Sequence, residues 1–381
     1  MTSMPDGRSA PCCTWKGFFS EQRGSDFFNG DSLEELRQQM RDHSPPPGCK
    51  DCVNSDTLGT YSQRRDGWDV YRGILGLEGF TDQPQLRYME INLSNICNLR
   101  CRMCGNDRSS RWTADSQAMG FHVHGRVEND MVITDDMLRN LRYIRLLGGE
   151  PLLHEDQLID LLSRAAELGT LTLLTLGITT NGMVRPGPQL IELLTKCASI
   201  FWTVSVDAVG QLNDYIRSGS SWDVLSQNLL YLDGLSCERT NWQLGIGTVC
   251  CVANANRMEE LANWVDGNLS SVRQQHHWYP VNFPEYLAVN RLPAHYLSRL
   301  ADKYDHMAEA DSGWRSQRWW RPLAQHMRNS MEREAYMERH PSWQVYAGPT
   351  LQLMDSLDQL RGDSFNAVNP SAYQAMREAN Q

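Results

Sequence analysis

Three cysteines at the spacing Cys97-x-x-x-Cys101-x-x-Cys104 are the side chains of this sequence best suited to chemistry. Three thiolates on one short loop can hold three corners of a cubane iron–sulfur cluster. The fourth iron then lacks a protein ligand and is open to a substrate or cofactor. Clusters that only carry electrons usually have four Cys, so three without a local fourth point to catalysis. Spacing alone also allows a Cys3His zinc site with His122 or His124 as fourth ligand. Two pairs, Cys12-Cys13 and Cys49-x-x-Cys52, precede the triad. Four further cysteines, Cys197, Cys237, Cys250 and Cys251, are scattered, as small buried apolar residues are. In a chain without a secretory signal, clustered cysteines read as metal or catalytic sites rather than disulfides. Met1 to Ala10 has no apolar segment of the secretory type.

The remaining composition fits a globular enzyme. Of 381 residues, 41% are hydrophobic and 22% charged, which suits two or three domains with a sizeable core. The net charge of −10 argues against a partner whose phosphates must be neutralised. The Arg/Trp-rich stretch Trp314 to Arg321 is the one candidate basic patch. The longest apolar run, Leu171 to Ile178, falls short of the roughly 18 residues of a membrane span. A soluble, cytoplasmic protein without membrane contact and without a nucleic-acid partner is expected.

The cysteine loop needs elements to hold it, and the sequence supplies a repeating pattern from about Arg87 to Pro284. Short runs rich in β-branched, Leu or aromatic residues predict strands at Tyr88 to Leu93, Tyr143 to Leu147, Leu171 to Thr179, Ile200 to Val206, Gln243 to Val249 and His277 to Asn282. They are near-continuously apolar, as in strands covered on both faces. Helical stripes alternate with them at Glu155 to Leu168, Gln189 to Ala198, Trp222 to Leu235 and Met258 to Leu269. Six βα units in series imply a parallel sheet with right-handed crossovers. Six are too few for a closed eight-stranded barrel, so an open, partial (β/α)6 barrel is expected. Before it, Ser32 and Glu35 suggest a capping box opening a helix Leu33 to Arg41, and Pro45 to Gly48 stops that helix and delivers Cys49. After Pro284 the pattern is helical, with Pro293 in a first-turn position and Tyr296, Leu297, Leu300 and Tyr304 on one stripe. The expected division is residues 1–85 (a Cys-containing metal unit), 86–285 (the barrel) and 286–381 (mainly helical).

A CxxxCxxC loop after the first strand of a partial barrel resembles the signature of the radical S-adenosylmethionine (SAM) superfamily. The segment Cys97 to Gly105, followed by Ser109-Ser110, is similar to the members that carry twitch or SPASM auxiliary-cluster domains. Further segments match in order. Gly148-Gly149-Glu150-Pro151, after the second strand, resembles the family's GGEP motif, where two glycines let backbone approach a ligand closely and Glu150 faces the SAM ammonium. Thr179-Thr180-Asn181-Gly182 matches its TNG segment. Ser205-Val206-Asp207 resembles the S-x-D segment that meets the ribose or carboxylate of SAM, and Arg217 a carboxylate-binding Arg. Gly245-Ile246-Gly247 would flank the adenine. Met103 stands where many members have an aromatic residue beside the adenine and offers a polarizable surface instead. Ligands of such sheets sit at the C-terminal ends of strands, where these residues fall.

The resemblance also covers the N-terminal cysteines. Pro5 to Arg8 reads as a hairpin turn feeding a strand that presents Cys12, and with Cys49 and Cys52 this is similar to an auxiliary cluster module. Cys12 is the better ligand match than Cys13. The family pattern has one more Cys upstream of the hairpin, which this sequence lacks. The fourth ligand is therefore Cys13, or one iron stays open, or the start is truncated; a zinc knuckle of Cys12, Cys13, Cys49 and Cys52 is the structural alternative. Leu357 to Gly362 looks like the family's C-terminal segment. The resemblance implies an enzyme that reductively cleaves SAM at a [4Fe–4S] cluster to a 5′-deoxyadenosyl radical, which abstracts hydrogen from a substrate. A flavodoxin or ferredoxin would supply the electron, and a second, auxiliary iron–sulfur cluster would serve product oxidation or substrate binding. Peptide or protein is the first-ranked substrate, a carbohydrate or small metabolite the second. The reading from another class is a non-catalytic iron–sulfur or zinc protein that scaffolds or transfers electrons.

Overall fold

The structure, a computed structural model, describes residues 1–15, 17, 20–57, 84–129, 133–272, 274–281, 284–338 and 350–379, with scattered residues between 62 and 76. Eight strands form one sheet in the order β2-β1-β3-β4-β5-β6-β7-β8. They are β1 (Thr2–Ser3), β2 (Ser9–Ala10), β3 (Tyr88–Asn92), β4 (Tyr143–Leu147), β5 (Thr175–Thr180), β6 (Ser199–Ser205), β7 (Trp242–Cys250) and β8 (His276–Pro280). The order has two ends, so the sheet is open. β3 pairs in parallel with β4, β4 with β5, and β7 with β8. Helices alternate with these strands, and the described residues after Pro293 are mainly helical. The α/β expectation of an open, mostly parallel sheet with a helical C-terminal region therefore holds.

Several local expectations need correcting. The strand β1 was not foreseen, and the strand expected after the hairpin turn is only Ser9–Ala10, ending short of Cys12; Met4 to Arg8 closes the tight turn, with Gly7 at φ +79°. β2 pairs antiparallel with β1, and β1 in parallel with β3. Such two-residue strands are too short to carry a periodic signal. The Ser32/Glu35 capping box is not formed. The helix runs Asp31–Arg41 with Gly30 at its N-cap and no side-chain cap, because Leu33 and Glu34 both donate to the Gly30 carbonyl. The third expected strand starts late: Leu171–Leu173 is a 3-10 turn, needed after Gly169 (φ +70°) ends the preceding helix. Burial on both faces suits β3 and β5, but β6 and β7 alternate buried with part-exposed residues. Most of β8 is open. Asn282, the expected end of that strand, lies outside the described residues.

The chain divides into two compact units. The first comprises residues 1–97, 125–180 and 185–202, and holds β1 to β5 with the helices Glu155–Glu167 and Pro188–Thr195. The helix Glu155–Glu167 buries Leu158, Leu161, Leu162 and Ala165, the stripe expected from 3.6-residue periodicity. The second comprises residues 98–124, 181–184 and 203–381. Its core gathers Leu212, Tyr215, Met258 and Ala262 with Tyr296, Leu297, Leu300, Tyr304, Trp319 and Trp320. Helix Ala294–Ala310 starts after Pro293 at its N-cap.

The stretch Trp314 to Arg321 is divided: Arg318 and Arg321 are exposed, whereas Arg315, Trp319 and Trp320 belong to the core. Trp319 and Trp320 are 1% and 3% exposed. Arg315 is buried and forms a two-pronged ion pair with Asp266 at 2.6 and 2.7 Å. Beside it, His276 is 1% exposed. Its Nδ1 accepts from Arg315 Nη2 at 3.2 Å. Its Nε2 lies 3.0 Å from Thr248 Oγ1, whose hydroxyl already donates to Val206 O. That pattern requires a neutral imidazole carrying its proton on Nε2. Burial, then the Arg315 charge, then His277, push its pKa well below the ordinary value.

A group that stays neutral in the fold but charges when unfolded contributes stability that is full above its unfolded pKa of about 6.5 and is lost as pH falls. The thermal midpoint is therefore expected to drop as pH is lowered from about 6.5, tracked by circular dichroism. His276→Gln should flatten this acid limb while lowering stability at neutral pH by about 1–3 kcal/mol, the cost of leaving buried partners unmatched.

Candidate active site

In the first unit, β3 ends at Asn92 and the chain turns through Leu93 to Cys97. Ser94, fully buried, accepts from the Ile96 amide at 2.9 Å and lies 2.6 Å from His154 Nε2. Burial, its largest influence, lowers the His154 pKa. After β4, Gly148 and Gly149 adopt φ +82° and +53°, a region open to glycine. Space demands glycine as well. A Cβ on Gly149 would lie 2.0 Å from the Ile96 carbonyl oxygen, and one on Gly148 would lie 2.8 Å from Asn92 Cβ. This close approach lets the Glu150 amide donate to Ile96 O at 2.9 Å. The Glu150 carboxylate is buried and accepts from Thr180 Oγ1 at 2.7 Å and from the Leu152 amide at 3.1 Å.

In the second unit the loop continues from Asn98. The Arg100 and Arg102 amides donate to Ser218 O and Ile216 O, and the Cys104 amide closes a turn onto Cys101 O. The Trp112 indole also donates to Cys101 O, at 2.8 Å. Cys101 and Cys104 are close enough to hydrogen-bond; that contact, then burial, raises the Cys101 pKa against the pull of Arg217. Arg217 Nη1 donates towards Cys101 Sγ at 3.8 Å. Its Nε is 2.8 Å from Asp207 Oδ2, and both residues are buried. Asp207 also accepts from the Val249 amide at 2.7 Å. Asn181 Nδ2 donates to Asn98 Oδ1 at 2.7 Å. Gly245 and Gly247 fall on the part-exposed face of β7, whereas Ile246, 1% exposed, lies on the opposite face. Met103 packs against the core of this unit.

The loop thus supplies Cys97 from the first unit and Cys101 and Cys104 from the second, with the division after Cys97. Within the first unit the structure brings Gly148, Gly149 and Glu150 to the approach to Cys97. Within the second it brings Arg217 and Asp207 to Cys101. Thr180, His154 and Arg102 were not singled out from sequence. Thr180 stands next to Asn181 in a noted segment, so its hydroxyl was legible there. His154 and Arg102 carried no spacing signal.

The N-terminal cysteines divide. Cys12 lies 3.6 Å from Thr14 Oγ1, and Thr14 Oγ1 4.0 Å from Cys52 Sγ. Burial, with Cys12 and Cys52 nearby, pushes the Cys49 pKa up to about 11. Cys13 instead hydrogen-bonds Glu90. None of the eleven cysteines is in a disulfide. Among the described residues, no three His, Cys, Asp or Glu side chains converge as they must around a single ion. His122 and His124 are exposed and meet each other edge-on at 4.6 Å. Among the described residues, no helix is long and apolar enough to cross a membrane.

Comparison with known proteins gives a family match. Residues 91–242 match the Radical SAM superfamily. Molybdenum cofactor biosynthesis protein 1 of Bos taurus is 33% identical over 113 residues, covering 27% of this chain and 15% of that protein. GTP 3′,8-cyclase of Pelotomaculum thermopropionicum is 29% identical over 106 residues, covering 28% of this chain and 30% of the cyclase. This chain thus spans less than a third of either relative. Among solved structures, Streptococcus suis SuiB bound to S-adenosylmethionine aligns at 17% identity and TM-score 0.40, covering 76% of this chain and 61% of that one.

The Gly149 contact gives a direct test. Gly149→Ala must displace the Ile96 carbonyl next to Cys97, at a cost of about 1–3 kcal/mol from overpacking alone. We expect a lower thermal midpoint and, after anaerobic reconstitution, at least a several-fold loss of bound iron by colorimetric assay. Gly169→Ala, at a positive-φ position with nothing within 4 Å of its added Cβ, should lower stability but leave iron content intact.

Proposed function

The chain carries a Radical SAM superfamily domain over residues 91–242, and on that premise we propose that it is a radical SAM enzyme using a [4Fe–4S] cluster and SAM. The observation that carries this reading is the Cys97/Cys101/Cys104 loop, which leaves a parallel strand inside the matched domain. Three soft thiol donors suit iron–sulfur ligation, and the glycine pair presses its backbone against the start of that loop. When bound, the cluster and SAM supply reductive cleavage of SAM and, through it, hydrogen abstraction from a substrate C–H bond.

The protein's part is to hold and orient. Cys97, Cys101 and Cys104 would ligate three irons. Arg217, held by Asp207, aims a charged donor at the Cys101 sulfur, which favours added negative charge there and tunes the potential. Gly148, Gly149, Glu150, Asn181, Ser205, Asp207, Arg217, Gly245, Ile246 and Met103 are proposed to serve SAM. For Glu150 and Asp207 the role is to fix backbone, since the Glu150 carboxylate accepts from Thr180 and Leu152 and Asp207 accepts from Val249. Cys12, Cys49 and Cys52 are proposed to hold a second iron–sulfur cluster.

A peptide or protein is the proposed substrate, supported by the likeness of the N-terminal cysteines to twitch/SPASM modules. That support is analogy of fold rather than of site. A small metabolite or carbohydrate is the competing outcome.

The test is anaerobic reconstitution followed by assay for 5′-deoxyadenosine with dithionite as reductant. Wild-type protein should form it. The Cys97→Ala/Cys101→Ala/Cys104→Ala protein should form none while keeping iron and sulfide at the N-terminal cysteines. Retained 5′-deoxyadenosine in that variant overturns the assignment of the triad. Zinc in place of its residual iron overturns the second cluster.

A further inference from the structure

The segment from Leu357, noted above only for its resemblance, has no role in the function proposed. Its helix Thr350–Arg361 sends two charged side chains, Asp358 and Arg361, one turn apart, into the part of the second unit that carries Cys101 and Cys104. Arg102, set between those two cysteines, has no exposed surface. A guanidinium can be buried so completely only if its charge and donors are matched. The matches fall on Nη2 and Nε, while Nη1 is buried without a hydrogen-bond partner among the described residues. Arg102 Nη2 donates to Asp358 Oδ1 at 2.5 Å and to Asp363 Oδ2 at 3.0 Å. Its Nε donates to Tyr215 O at 3.1 Å, and its guanidinium carbon lies 3.7 Å over the Tyr215 ring. The other carboxylate oxygen of Asp358 accepts from the Phe365 amide at 2.7 Å, which orients the acid.

A second linkage runs beside the first. Arg361 Nε and Nη2 donate to Asp115 Oδ2 at 3.0 and 2.8 Å, and Arg100 Nη1 to Asp115 Oδ1 at 3.1 Å. Arg361 also lies 4.5 Å over the Trp112 ring, the same indole that donates to Cys101 O. Arg100, Arg102 and Arg361 thus balance Asp115, Asp358 and Asp363.

We infer that Leu357–Asp363 is a clamp on the cysteine loop, and that Asp358, Asp363 and Arg361 are positioning residues for the cluster. This rests on the reading of Cys101 and Cys104 as cluster ligands. The clamp acts on residues between the ligands, not at a distance. If Arg102 loses its acids, an unpaired buried charge remains. Its cheapest relief is to swing the Arg102 side chain towards water, which carries Cys101 and Cys104 out of register.

Asp363→Asn, Asp358→Asn and the double variant, all in the full chain, test this in two ways. In metal-free protein, hydrogen–deuterium exchange of a peptide spanning Arg100 to Cys104 should quicken at least tenfold in the double variant, with circular dichroism unchanged in Asp363→Asn. In reconstituted protein, removal of iron by a chelator should also quicken about tenfold, and the g-values of the dithionite-reduced cluster should shift by electron paramagnetic resonance. If Asp358→Asn lowers helix content, Asp363→Asn alone decides, since its side chain ties only to Arg102 among the described contacts. Exchange, chelation and g-values all within twofold or unchanged in the folded variants overturn the clamp. If wild-type protein takes up no cluster, the enzymatic reading fails, and the exchange comparison still decides whether the segment holds the loop.

Discussion

A backbone approach that only glycine permits governs the approach to Cys97 in the first unit. The Gly149 Cα sits so near the Ile96 carbonyl that an added methyl group would overlap it at 2.0 Å. The Glu150 amide bonds that same carbonyl. The turn after β4 and the entry to the cysteine loop after β3 are therefore one unit of structure. β3 and β4 are in register from Tyr88 with Tyr143 to Asn92 with Leu147, so both chains arrive at the same level. Thr180, at the end of β5, then ties the Glu150 carboxylate to the third strand. Parallel strands that end together are what allow residues far apart in sequence to meet.

In the second unit, the surroundings of Cys101 depend on buried charge rather than close backbone. Asp207 and Arg217 pair at 2.8 Å, and Arg102 is neutralised from a segment more than two hundred and fifty residues away in sequence. Such ion pairs add little net stability over an apolar replacement, yet losing one partner is costly. Their use here is to fix where a loop must lie. The surrounding apolar core, with Tyr215 stacked on Phe365 at 5.5 Å, keeps water from offering the charges an alternative.

How far the sequence disclosed this follows from the range of each signal. The βα alternation and the stripe of Tyr296, Leu297, Leu300 and Tyr304 were legible because periodicity is local and repeated. The GGEP turn was legible because its glycines answer a steric demand that no other residue meets. The β1–β2 hairpin was partly legible: its Asp6-Gly7 turn and the strand after it were, the strand before it was not. The capping box at Ser32 was misleading, since the short helix Gly24–Phe28 lies just upstream and the next helix starts from Gly30. The Trp314 to Arg321 stretch misled in part: Arg318 and Arg321 are at the surface as composition suggested, but Arg315 is buried and its charge is met by Asp266 at the core's edge. Arg102 gave no signal, because its partners are set by tertiary contact alone.

The neighbouring thiols Cys12 and Cys13 face different surroundings, and this has a consequence for oxidation. Burial and the Glu90 carboxylate hold the Cys13 thiol well above its ordinary pKa, and its hydrogen bond to Glu90 is kept only while it carries its proton. Thiolate is the form that alkylating reagents and peroxides attack. Cys13 is thus shielded by electrostatics as well as by its partner, and a Cys12–Cys13 disulfide would have to break the Glu90 contact before it could form. When air reaches this protein, the Cys13 thiol is held in its less reactive, protonated form for as long as the Glu90 contact lasts.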